Sequence, residues 1–385
     1  MVASWVPADF LARANPRPAS RELSCLGRKV IQPLIQAGAK LSPGIESALV
    51  VIAASAETSD QIGVPRSHID LLASAGAHGT ARQLSQQREV TERLSGADAS
   101  TWFCWTQHQT PLRTMLAGGN QAASTELCEL WLPGLQSGEL LAAIAFAHVR
   151  RGGAPNPVAV KVDGGWELTG QLDWVSSWDI ADVLMLMAAT EDKSKFVIFY
   201  LPISDFADKF QQCVIGEPLK LLAMSGTHSR PITFDRTYVC SDYVFSIIDA
   251  NEWLHADAGK TVLPNPAALG VARAAIEQLN EVATIRKQRS GQDAARTLAR
   301  EFQLLRASSY SAIDDSETPR SELVKLRVQT LEFAVKCTVA VITASSGGSM
   351  VTGNTAERRV REAMFLQVQA QTEETRNAAL SRLSQ

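Results

Sequence analysis

The sequence predicts an α+β protein built in three parts: an N-terminal α-helical domain over residues 1–138, a middle antiparallel β-barrel or sandwich domain over 139–250, and a C-terminal four-helix bundle over 251–385. Three observations predict it. Apolar residues recur at helical spacing up to about Thr125, alternate at strand spacing between 141 and 246, and return to helical spacing from Pro264 onward. The change falls in one stretch, Glu126 to Ser177.

The elements follow in order. Residues 1–20 hold three prolines and several small polar residues and read as a poorly ordered lead-in. Leu49, Ile52 and Ala53, and then Ile69, Leu71 and Leu72, mark amphipathic helices, with breaks expected at Pro43-Gly44 and at Gly76–Gly79. Thr101 to His108 is an aromatic-rich helix, and a histidine there is ordinarily a packed core residue. Leu127, Leu130, Trp131 and Leu135 continue the helical period, and Pro133 is expected to stop it because its ring cannot continue the hydrogen-bond ladder.

Seven strands are expected next: Ala142–His148, 158–162, 166–171, Val183–Ala189, Phe196–Leu201, Val214–Pro218 and Ile232–Val239. Val158, Val160 and Val162 alternate, and Asp163-Gly164-Gly165 offers the tight turn of a hairpin that resumes at Trp166 and Leu168. The last part shows four periodic stretches, about 264–289, 292–312, 319–345 and 355–382, separated at Ser290-Gly291, Asp314–Pro319 and Ser345–Asn354. Four helices on short connections make a bundle.

Composition narrows the function. With 385 residues, 45% hydrophobic and 20% charged, the chain is of ordinary globular make-up, and a net charge of -3 gives no broad basic field for nucleic acid or an anionic membrane. The opening 21 residues show no signal-peptide pattern, and no run approaches the roughly 18 apolar residues of a membrane span. A cytoplasmic protein is the expectation. The six cysteines form no Cys-x-x-Cys pair and have no histidine at ligand spacing, so reduced thiols are expected, with neither a metal site nor a disulfide framework.

The run Glu126-x-x-x-x-Trp131-Leu132-Pro133-x-Leu135-x-x-Gly138-Glu139, a strand, the loop Gly152-Gly153, a hairpin and Trp174-Val175-Ser176 resembles the acyl-CoA dehydrogenase superfamily, including its flavin-dependent monooxygenase branch. The resemblance continues almost to the C-terminus. It implies FAD rather than FMN, an acyl-CoA or related substrate, an electron-transfer protein or flavin reductase as redox partner, and a homo- or hetero-oligomer, dimer or tetramer.

It also implies residues. The family's flavin-contacting strand matches Phe146 to Ala154, where the backbone at Phe146 and His148 and the glycine Gly152 remain while the usual hydroxyl is Ala147 and the usual serine Gly153. Trp174 would pack on the isoalloxazine and Ser176 would take the place of the threonine near N5. Arg286 and Lys287, with Gly347 and Gly348, match the arginine and the glycine loop that serve a neighbouring subunit's cofactor. The catalytic glutamate falls on Ala370, which takes no proton, and Glu373, nearly one helical turn on, is a relocated candidate. In the monooxygenase branch His108 would approach the flavin. Three roles are therefore carried forward: an acyl-thioester dehydrogenase, a flavin monooxygenase, and a silent subunit that pairs with an active homologue.

Overall fold

The computed structural model describes residues 31–78, 83–150 and 157–384, so the N-terminal lead-in and the Gly152 loop lie outside the described residues. The N-terminal helices are α1 (Pro43–Ile62), α2 (Arg66–Ser74), α3 (Leu84–Ala97), α4 (Ala99–Ala117) and α5 (Ser124–Ser137). Pro43 opens α1 where a break was expected, because at the first helical position its missing N–H costs nothing. The Ser42 hydroxyl accepts from the Ile45 amide beside it.

Pro133 does not end α5. It sits inside the helix, and the chain turns at Gly138, whose φ of 81° lets its amide reach the Gly134 carbonyl. A proline removes one ladder bond, whereas a left-handed glycine redirects the chain.

The strands are β1 (Ala142–Ala145), β2 (Val158–Val162), β3 (Gly165–Val175), β4 (Val183–Thr190), β5 (Lys195–Pro202), β6 (Cys213–Ile215), β7 (Arg230–Cys240) and β8 (Val244–Asp249). They form one sheet in the order β6-β7-β3-β2-β4-β5-β8, with β1 added against β4. Pairing is antiparallel except that β4 meets β1 and β2 in parallel. The expected first strand stops at Ala145 and a 3-10 turn, Ala147–Arg150, takes over.

β4 is buried on both faces. Leu184, Leu186 and Ala188 enter a core with Leu168, Leu172 and Phe234, while Val183, Met185 and Met187 pack with Leu112, Met115 and Leu135 of α4 and α5. Period-2 alternation thus serves two cores at once.

After the sheet come α6 (Ala250–Thr261), α7 (Pro266–Ile285), α8 (Arg289–Asp314), α9 (Arg320–Ser345), α10 (Thr355–Leu366) and α11 (Glu373–Leu383). Ser290 and Gly291 fall within the first turn of α8 instead of separating two helices, and the expected last helix is divided by the loop from Gln367 to Thr372. α9 is the one described helix long and apolar enough, by length and composition, to cross a membrane; half of that apolar window is buried inside the fold, as in the core helix of a bundle.

Several contacts join the N-terminal helices to the middle domain, among them two at α2 and the turn before it. Arg66 of α2 donates to the carbonyls of Ile180 and Glu139 and to the Asp182 carboxylate, at 2.9, 2.6 and 2.9 Å. The Gly226 carbonyl accepts from the Val64 amide at 2.8 Å, so close that a Cβ on Gly226 would lie 2.1 Å from the Ser59 carbonyl oxygen. Gly226 is therefore required by close approach and not by a left-handed turn.

Candidate functional site

The site is built at the end of β3. Leu172 and Val175 both point into the sheet core, although strand alternation puts residues two apart on one face. The ladder explains this: β3 takes three steps from Leu172 to Val175 while β7 takes two from Ile232 to Arg230, a β-bulge. The extra residue turns the Trp174 indole outward, and it is 54% exposed. An exposed tryptophan on a strand held by buried neighbours is a flat apolar surface offered to something else.

Next to it Ser176 is buried, and its hydroxyl lies 2.7 Å from that of Ser229, which lies 2.9 Å from that of Thr227. Thr227 in turn donates to the Met224 carbonyl at 2.7 Å. Each hydroxyl has one proton. With the Thr227 proton on the carbonyl, Ser229 donates to Thr227 and Ser176 donates to Ser229, which leaves the Ser176 oxygen with lone pairs to offer.

A second group of residues singled out from sequence lies on the loop between α10 and α11. Ala370 has a φ of 51°, a left-handed conformation uncommon for alanine. The loop is held from behind by Arg327 of α9, whose guanidinium donates to the carbonyls of Leu263 at 3.0 Å, Gln369 at 3.0 Å and Ala370 at 3.4 Å. Asn265, which caps α7, donates to the Gln369 side chain at 3.2 Å.

No family model matches the chain. A benzylmalonyl-CoA dehydrogenase of Aromatoleum aromaticum is 26% identical over 165 residues, 41% of this chain and 42% of that protein. A (2S)-methylsuccinyl-CoA dehydrogenase of Cereibacter sphaeroides is 25% identical over 213 residues, 52% of this chain and 38% of that protein. The match thus spans about two fifths of the length of these curated relatives. The butyryl-CoA dehydrogenase of Megasphaera elsdenii superposes with a TM-score of 0.70 over 90% of this chain and 100% of its own, at 16% identity. The chain has the acyl-CoA dehydrogenase fold.

The same fold is found with other ligands. KijD3, in complex with FMN and a dTDP sugar, superposes with a TM-score of 0.68 over 92% of this chain and 96% of its own, at 17% identity. Within the acyl-CoA dehydrogenase fold, the residues singled out from sequence separate into groups. Trp174 and Ser176 stand together at the β3 bulge. Phe146 packs edge-on against Trp253 at 5.6 Å with the Arg150 guanidinium 4.7 Å above it, and His148 is buried with Nε2 2.7 Å from the Met187 carbonyl.

Arg286 and Lys287 are exposed at the end of α7, where Arg286 donates to the Ala344 carbonyl at 3.0 Å and so reaches the loop of Gly347 and Gly348. That loop is open: a Cβ on either glycine would meet nothing within 4 Å. Glu373 is exposed in the first turn of α11, and its neighbour Glu374 pairs with Arg320 at 2.6 Å.

His108 is fully buried and spent on the backbone, with Nε2 donating to the Leu135 carbonyl at 2.9 Å and Nδ1 accepting from the Ala142 amide at 3.0 Å. Burial, the main cause, pushes its pKa down to about 4. It is a neutral pin between α4, α5 and β1, with no ring nitrogen left for a ligand. Two surface clefts, of about 490 Å³ between β2 and the β4–β5 turn and about 250 Å³ beside Phe302 and Tyr310, contain neither Trp174 nor Ser176.

Sequence reasoning passed over Ser229 and Arg327. The first sits in a loop of ordinary composition. The second, an arginine in a periodic helix, reads as a solvent-facing charge.

Proposed function

We propose that the protein is a flavin-dependent oxidoreductase of the acyl-CoA dehydrogenase superfamily that acts on an acyl thioester. The observation that carries this reading is the β3 bulge, which presents the Trp174 indole beside the Ser176 oxygen in a protein of this fold. The donor set suits a flat, apolar ring with polar edges. Trp174 and Ser176 would hold it from the sheet, helped by the backbone at Phe146 and His148. Arg286, Lys287, Gly347 and Gly348, exposed and grouped by the Arg286–Ala344 bond, would serve the phosphates of FAD bound by a second subunit. FAD is the preferred cofactor for that reason, and an oligomer follows from it. When bound, the flavin supplies the two-electron acceptor for a substrate hydride.

The chain's own residues set the rest. Trp174 orients the ring and keeps water from one face. Ser176, its proton committed to Ser229, accepts a hydrogen bond. An alpha proton of a thioester needs a positioned base, and residue 370 is an alanine; Glu373, in water, is the nearest acid in sequence. The curated relatives are named for acyl groups with a second carboxylate, benzylmalonyl and methylsuccinyl. An acyl thioester of that kind is the substrate class we favour, with an electron-transfer protein as the electron acceptor and the cytoplasm as the location.

One observation favours a second reading. With alanine at position 370, the chain also suits a silent subunit that completes the cofactor site of an active homologue. The monooxygenase reading has no such support, because both nitrogens of His108 are taken.

The test is the visible spectrum of the purified protein. The proposal expects a yellow protein that releases FAD on denaturation and bleaches when an acyl-CoA is added. A protein that stays colourless with excess FAD, alone and co-expressed with a homologue, would overturn it. Colour without bleaching by any thioester leaves the silent subunit.

A further inference from the structure

The Ser229 hydroxyl, which accepts from Ser176, sits on a segment that the chain after β3 holds in place. Residues 175–179 run antiparallel to 227–230: Val175 pairs with Arg230, the Ser177 amide donates to the Thr227 carbonyl at 2.7 Å, and the Trp178 amide to the His228 carbonyl at 3.3 Å. The arrangement is not relaxed. Ser177, Met224 and His228 all have left-handed backbones, with φ of 66°, 67° and 51°, and none is a glycine. Such backbones persist only where the surrounding structure over-determines them.

One carboxylate supplies much of that determination. Asp179 accepts from Arg230 in a two-pronged contact, Nε at 2.8 Å and Nη2 at 3.2 Å, and its Oδ2 lies 3.2 Å from Nδ1 of His228. It therefore grips the residues on both sides of Ser229. Their other ends are anchored as well: Nε2 of His228 lies 3.1 Å from the Val64 carbonyl oxygen, and Nη1 of Arg230 donates to the Gly216 carbonyl at 3.1 Å. The His228 ring fills a seat kept open by Gly63, where a Cβ would lie 2.4 Å from it. Two-pronged arginine–carboxylate contacts fix direction as well as distance. Between two fixed neighbours the Ser229 oxygen is held 2.7 Å from that of Ser176.

We propose that Asp179 is a positioning residue for bound flavin: through Ser229 it keeps the Ser176 oxygen an acceptor and so favours the reduced ring. This rests on the flavin reading above. Two-electron reduction adds a hydrogen to a ring nitrogen, turning an acceptor into an N–H donor. A hydroxyl that only accepts therefore binds the reduced ring better, and one free to donate binds the oxidised ring better. Without Ser229 in place, the Ser176 proton is free to turn toward the ring. Asp179 acts through Ser229 and transfers no proton itself.

The reduction potential of the FAD-loaded, full-length protein, read by equilibration with reference dyes, tests this. S229A is expected to lower it by about 30 mV, a tenfold weaker preference for the reduced ring in a two-electron couple. D179N should lower it by a similar amount on its own and by nothing further in the S229A background, because both act through one hydroxyl. The sign is decisive, since deleting a nearby negative charge would by itself raise the potential. R230K keeps its charge and loses the two-pronged contact, and it carries the same expectation where D179N does not retain FAD. A potential unchanged in S229A, unchanged or raised in D179N or R230K, or a D179N shift that persists in full beside S229A, would overturn the role of Asp179 and leave the flavin reading standing. A wild-type protein that takes up no FAD, alone or co-expressed with a homologue, would overturn both.

Discussion

Nε of Arg306 donates to the fully buried carboxylate of Glu92 at 2.6 Å, joining α8 to α3. Arg306 also reaches Glu89 at 2.9 Å, Arg273 of α7 reaches Glu89 at 2.7 Å, and the Tyr310 hydroxyl donates to Glu92. Two buried acids thus depend on two arginines from other helices. Removing one cation strands a carboxylate in the interior, so R306M should lower the free energy of unfolding by roughly 3–5 kcal/mol, read by denaturant titration. A loss below about 1 kcal/mol, the scale of a surface pair, would show that the network is not desolvated in solution.

Gly226 gives a steric prediction. A methyl group there would be driven against the Ser59 carbonyl, which is backbone and cannot rotate away. G226A should cost about 1–3 kcal/mol, as overpacking does. G347A and G348A, with open space around them, should leave stability within about 0.5 kcal/mol and change FAD retention instead. Equal stability losses in all three variants would refute the contrast.

His108 predicts a pH dependence. Its folded pKa of about 4 lies below its ordinary value of 6.5, so the unfolded chain binds the extra proton first. The contribution to stability is complete above pH 6.5 and is lost as pH falls toward 4. The shift is worth roughly 3 kcal/mol over that window. Denaturation of wild type and H108Q across pH 4–7 should converge at the acid end. Parallel curves would mean that the imidazole is not buried neutral.

Trp174 separates binding from folding. Because its indole is more than half exposed, W174A should leave the unfolding midpoint nearly unchanged while weakening FAD by about tenfold, the scale of one lost aromatic stacking contact. Fluorescence-monitored FAD titration measures it. Unchanged affinity would remove the indole from the cofactor site.

The sequence was informative where local period and chain order decide. The α+β order and the β2–β3 hairpin with its turn at Asp163-Gly164 both rest on residues near one another in the chain. It failed where distant residues decide. The bulge that exposes Trp174 exists because β7, more than fifty residues on, lacks the matching residue. α6 was missed because its few apolar positions, Trp253 and Leu254, are only partly buried. Pro133 misled because a single lost ladder bond is a weaker signal than the left-handed glycine that follows it. Arg327 gave no sign of its burial, since the carbonyls that surround it come from two loops that no spacing rule connects.

The Arg66 clamp has a consequence for synthesis. Of its two carboxylate partners, Asp70 lies in the same helix and Asp182 lies 116 residues further along the chain. A nascent polypeptide leaving the ribosome can therefore pair Arg66 only with Asp70, one turn on in α2, until the early sheet strands have emerged, so the bonds that join α2 to the sheet form after them.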